Sequence, residues 1–154
     1  RQGDDLAART RLAEGSLLAA MSFAHTGLGA VHGLAHPLGA ILHLPHGQVC
    51  AVLLPRILEW NAPCCDETYR ALAQSCACPA VPVWIAAIRE LAGRLGIPAN
   101  FATAGLRPEH FPFIIRNCRS GSMNANPRPM TDTEVLQLLQ ALAAPAASPF
   151  PESP

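Results

Sequence analysis

GLGAVHGLAHPLGAILHLPHG, residues 27–47, carries His32, His36, His43 and His46, four of the chain's six histidines, in an otherwise apolar run. His32 and His36 stand four apart, which puts them on one face if the segment is helical. Gly27 and Gly29 punctuate its start, so residues 30–40 read as a helix. Pro37 is then a kink or the mark of that helix's last turn. Pro45 precedes a further helix over 46–61, with His46 at its N-terminal end and the run VCAVLLPRILEW inside it. That helix is apolar nearly all round, which predicts a central place in the core. A strand through residues 46–60 is the competing reading, because Val49, Val52 and Ile57 are β-branched. Imidazole suits Fe, Zn, Ni or Cu, and nitrogens from two adjacent helices can grip one ion. The alternative is a set of buried histidines satisfied by backbone carbonyls.

Outward from this segment the periodicity stays helical. Residues 4–24 read as a helix, with Leu6, Leu12, Leu17, Leu18 and Met21 near helical spacing and Asp4 and Asp5 favouring its N-terminus. A helix over roughly 66–75 opens on Asp66 and Glu67, and one over 80–95 stops at Gly96 with Pro98 beyond. Residues 108–117 form a short helix, followed by the polar loop RSGSMNANPRP. Thr131 and Glu134 have capping-box spacing ahead of Val135, Leu138, Leu139 and Leu142. The fold class is therefore all-α, a helical bundle with no internal repeat. Residues 1–143 are expected to make one helical domain, and 144–154 a Pro/Ser-rich tail whose composition predicts disorder.

A chain of 154 residues can bury one sizeable core. Half of it is hydrophobic and 14% is charged, so surface is left to cover against another domain or in a homo-oligomer. The formal net charge of zero gives no attraction for nucleic acid or an anionic membrane. The opening RQGDDLAARTR is too polar for a signal peptide, and no apolar run reaches the roughly 20 residues of a membrane span. Six cysteines in an Ala/Leu-rich chain of this size predict a reduced, cytoplasmic setting rather than a disulfide scaffold. Cys64, Cys65, Cys76 and Cys78 lack the spacing of paired zinc thiolates and read as core or loop residues. Cys50 is expected in the core and Cys118 at the surface.

The histidine segment resembles the signature of the iron-containing (group III) alcohol dehydrogenases. The continuation VCAVLLPRILEWN and the later NPRPMT are similar to that family as well, and the likeness weakens through residues 62–120. The resemblance implies that His32 and His46 bind the catalytic metal, Fe²⁺ or Zn²⁺. It places His36 between metal and nicotinamide, as a catalytic and cofactor-binding residue. His43 is not among the implied ligands and reads as a supporting or surface group. The loop GSMNANPRP would close the substrate pocket, with Ser122 where many relatives have Cys. Turn chemistry alone also accounts for Asn126, Pro127 and Arg128. His25 and His110 have no evident partner.

The family also uses a nucleotide-binding domain with a Gly-rich phosphate loop, and an Asp and a His four apart on a helix as further ligands. Neither pattern occurs in this chain. It is expected to be the C-terminal helical domain alone, inactive by itself and binding metal weakly or not at all. Two function classes follow. One is the metal and substrate domain of an NAD(P)-dependent oxidoreductase acting on small alcohols and aldehydes, with the nucleotide-binding domain as its partner. In that enzyme the metal holds the alcohol oxygen as a Lewis acid while hydride passes to NAD(P). The other is a non-enzymatic helical module that self-associates or binds metal weakly.

Overall fold

The computed structural model describes residues 3–144, so the tail expected over 144–154 lies, but for Ala144, outside the described residues. Among them there are eight α-helices and no strand. Helix α1 (Leu6–Thr26) is capped by Asp5, whose Oδ1 accepts from the Ala8 N–H at 2.9 Å. It is followed by α2 (Ala30–Leu42) and α3 (His46–Asn61). Beyond these lie α4 (Asp66–Ser75) and α5 (Val81–Arg94). The chain then forms α6 (Phe111–Asn117), the single turn α7 (Gly121–Asn124) and α8 (Asp132–Ala143). The strand alternative for residues 46–60 is thus set aside. The loop after α6, read from sequence as irregular, contains the turn α7.

The core gathers Leu34 and Leu38 of α2, Val49, Leu53 and Ile57 of α3, Phe111, Ile114 and Cys118 around α6, and Val135, Leu139 and Leu142 of α8. Removing each such leucine from water contributes about 2 kcal/mol. Cys118, expected at the surface, is fully buried. It sits at the end of α6, in line with Phe111 and Ile114 at spacings of three and four that share one helical face. A second, smaller cluster joins Tyr69 and Ala73 of α4 to Trp84 and Ile85 of α5. The Tyr69 and Trp84 rings meet edge to face at 5.4 Å. Helix α3 touches both clusters, as its composition predicts, but not with every face: Leu54 stays exposed and Cys50 half-buried.

Two glycines let α2 seat deeply. A Cβ on Gly33 would lie 2.9 Å from the Met123 Cβ and 3.1 Å from the Cys118 carbonyl oxygen, so α2 and α7 approach where no other residue fits. A Cβ on Gly29 would meet Asn126 Oδ1 at the same 2.9 Å. Pro37 neither ends α2 nor lies in its last turn, for the helix runs five residues past it to Leu42. His43 then stops it in the left-handed conformation, with φ 52° and ψ 36°. Histidine is among the few non-glycine residues that adopt this conformation with some frequency. That explains one of the four clustered histidines: His43 is an exposed helix terminator.

Helix α1 differs from the rest. None of its residues is buried, and Leu6, Leu12, Leu17, Leu18 and Met21 are all more than half exposed. It meets α2 at a bend of 102° at Gly27–Gly29. Among the described residues no single helix is long and apolar enough to cross a membrane.

Candidate metal centre

The three-residue turn His43–Pro45 folds α3 back against α2 and brings three imidazoles together. The His46 ring centroid lies 5.2 Å from that of His32 and 5.1 Å from that of His36. His32 is half-buried, while His36 and His46 are exposed. Burial pushes the His32 pKa down, and the like charges of His46 and His36 push the same way. The neutral imidazole, which is the ligating form, is thereby favoured at His32. The sequence grouping of His32, His36 and His46 holds in space, and His43 stands apart.

A fourth side chain joins them. Cys50 lies one turn beyond His46 on α3, with its Sγ 3.4 Å from His46 Nε2. The ligating atoms of His32, His46 and Cys50 all lie within 4.8 Å of one another, and no carboxylate among the described residues belongs to this group. Cys50 is not in the core, as expected from its apolar helix, but on the wall of a cleft of about 430 Å³ shared with His32, Gly29, Leu54, Asn61 and Asn126. Its i, i+4 spacing from His46 was the available signal. Among the described residues no other three His, Cys, Asp or Glu side chains converge so closely, so Cys64, Cys65, Cys76 and Cys78 form no such centre. His110 is a local cap, its Nδ1 accepting from the Arg107 N–H at 3.2 Å.

The cleft floor is a hydrogen-bonded clasp. Asn126 Oδ1 accepts from the Ala30 N–H at 3.0 Å and from Asn61 Nδ2 at 3.1 Å. Its Nδ2 donates to Asn61 Oδ1 at 2.8 Å and to the Arg128 carbonyl at 2.7 Å. Arg128 stacks 3.7 Å above the Trp60 ring and donates to the Trp60 carbonyl, while Trp60 Nε1 donates to the Arg128 carbonyl. The strings WN at the end of α3 and NPR after α7 therefore lock each other. Arg128 has a structural role, and a more specific one than a turn would need. Asn126 also satisfies a free N–H at the start of α2, the helix that carries His32 and His36.

Two imidazoles and a thiol within reach of one point make a donor set that fits a divalent transition metal. A dinucleotide finds no such fit among the described residues, which contain no strand and no Gly-rich strand-to-helix turn. An all-helical unit with a cluster of histidines at the mouth of a helical hairpin is the class these observations define.

Comparison with known proteins gives that class its family. Residues 1–143 match the Fe-containing alcohol dehydrogenase family, C-terminal. The chain is 36% identical over 144 residues to the probable alcohol dehydrogenase EutG of Salmonella typhimurium, covering 90% of this chain and 36% of that protein. It is 33% identical over 147 residues to the lactaldehyde reductase of Escherichia coli, covering 87% of this chain and 37% of the relative. Its fold superposes on an alcohol dehydrogenase from Oenococcus oeni with a TM-score of 0.86 and 33% identity, over 92% of this chain and 39% of the other. The chain belongs to the iron-containing alcohol dehydrogenase family. It spans less than two fifths of the length of these relatives.

Proposed function

We propose that this chain is the metal and substrate side of an NAD(P)-dependent oxidoreductase that interconverts small alcohols and aldehydes. The observation that carries the reading is the convergence of His32, His36 and His46 beside an open cleft, in a chain of this family. His32 and His46 are the proposed metal-holding residues. When bound, the metal supplies Lewis acidity toward a substrate oxygen. His36, one turn from His32 and exposed, is the proposed proton carrier and the neighbour of the nicotinamide. It would take up or release the proton at a ring nitrogen facing the bound substrate. Leu54 and Ile57 line the cleft and suit a short carbon chain, while the Asn61–Asn126 clasp fixes the cleft's floor. The nicotinamide would be bound by a nucleotide-binding domain outside this chain, and residues 1–143 would act as one helical domain.

The test is NAD(P)H oxidation with a short aldehyde by the protein carrying this chain in its natural reading frame. H32A/H46A is expected to abolish turnover together with bound metal. H36A is expected to lower turnover by about 100-fold with metal content unchanged. Undiminished turnover in the double variant would overturn the assignment.

A further inference from the structure

We propose that Asn126 is a positioning residue for the metal. By clasping the first turn of α2 to the end of α3, it fixes where His32 stands relative to His46, and so sets the affinity for the ion without being a ligand. The inference rests on the reading of His32 and His46 as ligands, and it holds whichever further groups complete the ion's coordination. His32 is the third residue of α2, in the turn where helices fray first. Gly29 caps that turn with no side-chain hydrogen bond of its own, and Gly27 before it adopts a φ of 75°. An entry built on two glycines does little to hold a first turn in place. The hold comes from 96 positions away, where Asn126 Oδ1 accepts from the Ala30 N–H at 3.0 Å in a buried site. Gly33, next to His32, is so close to Met123 that a Cβ on it would lie 2.9 Å from the Met123 Cβ. The segment that follows α6 thus braces His32 on both sides.

The same amide ties that turn to the helix of the second ligand. Asn126 exchanges two hydrogen bonds with Asn61, the last residue of α3, at 3.1 and 2.8 Å. Both asparagines are buried, so water does not compete for these bonds. The turn His43–Pro45 joins α2 to α3 at one end of the hairpin, and the asparagine pair joins them at the other. His32 lies ten residues before Leu42, the turn end of α2. That is about 15 Å along the axis, so a swing of about 10° around the turn would carry His32 by about 2.6 Å. Metal–ligand distances hold to about 0.2 Å, and such a swing breaks the bond. The clasp is what prevents it.

The test is Zn²⁺ titration, in competition with a chromophoric chelator, of the metal-free protein carrying this chain in its natural reading frame. N126A is expected to bind Zn²⁺ roughly 10- to 100-fold more weakly, the range for loss of a group that supports a ligand. G29A is expected to weaken binding in the same direction with both asparagines intact, because its Cβ would meet Asn126 Oδ1 at 2.9 Å. The φ of −97° at Gly29 suits any residue, so no backbone strain enters. L142A opens a cavity at the end of α8 away from the loop that carries Asn126, and should bind Zn²⁺ like the native protein despite its lower stability. Circular dichroism shows whether each metal-free variant is folded, and G29A decides if N126A is not. Native affinity in N126A and G29A would overturn the role of Asn126, and the histidine reading would stand if H32A/H46A then removes binding. An equal loss in L142A would overturn that role too, since the effect would be general softening. Binding indifferent to H32A/H46A would overturn both.

Discussion

Asn126 makes four hydrogen bonds through one amide, to Ala30, to Asn61 twice and to Arg128. N126A would strand the Asn61 amide in a buried site and free the first N–H of α2. Orphaned buried groups cost on the order of 1–3 kcal/mol each, so a stability loss of about 3 kcal/mol is expected. Urea unfolding reads it as a lower midpoint with an unchanged slope, and a loss under about 1 kcal/mol would mean that water replaces the amide. The clasp was only half legible in the sequence. Asn61 and Asn126 lie 65 positions apart, and nothing in local spacing pairs two asparagines at that distance. The histidines were legible because four of them sit within one short segment. Cys50 was misjudged because an apolar run says that a helix is buried but not which of its faces is open.

At the scale of elements, local rules succeeded where partners lie within one turn. Thr131 and Glu134 form the expected reciprocal cap, with the Glu134 N–H donating to Thr131 Oγ1 at 3.3 Å and the Thr131 N–H donating to Glu134 Oε2 at 2.7 Å. The Thr131 backbone N–H, then its hydroxyl, hold the Glu134 carboxyl below its ordinary pKa. A depressed acid contributes stability that is complete above its unfolded value and is lost as pH falls through the folded one. T131A is expected to cost about 1 kcal/mol at neutral pH. The gap between variant and native chain should narrow as acid protonates Glu134, in melts recorded from neutral pH downward. A gap constant to the bottom of the acid range would contradict the reciprocal cap. Contact between elements was harder to see. Gly33 carries no signal in local spacing, yet it is a point where α2 meets α7. G33A should cost about 2 kcal/mol through overpacking against Met123 and the Cys118 carbonyl. A neutral result in thermal melts would show that α7 yields freely.

At the scale of the molecule, the sequence established helices, their order and the hairpin that gathers the histidines, and it left open what the apolar residues of α1 meet. Periodicity tells which residues share a face and is silent about what that face meets. The stripe of Leu12, Leu17 and Met21 faces outward. Changing these three to Gln is expected to alter stability by less than about 0.5 kcal/mol. A loss above about 1 kcal/mol would place α1 against the body of the chain. The relatives are more than twice as long as this chain, and the metal centre proposed at His32 and His46 is the part of the account argued from its own residues.

That metal centre is the central claim, and calorimetric titration with Zn²⁺ tests it most directly. The protein carrying this chain in its natural reading frame is expected to bind one ion, and H32A/H46A to show no binding heat while unfolding at the same temperature as the metal-free native protein. Equal binding by both would contradict the account, because the ion would then be held by residues other than the pair that α2 and α3 bring together.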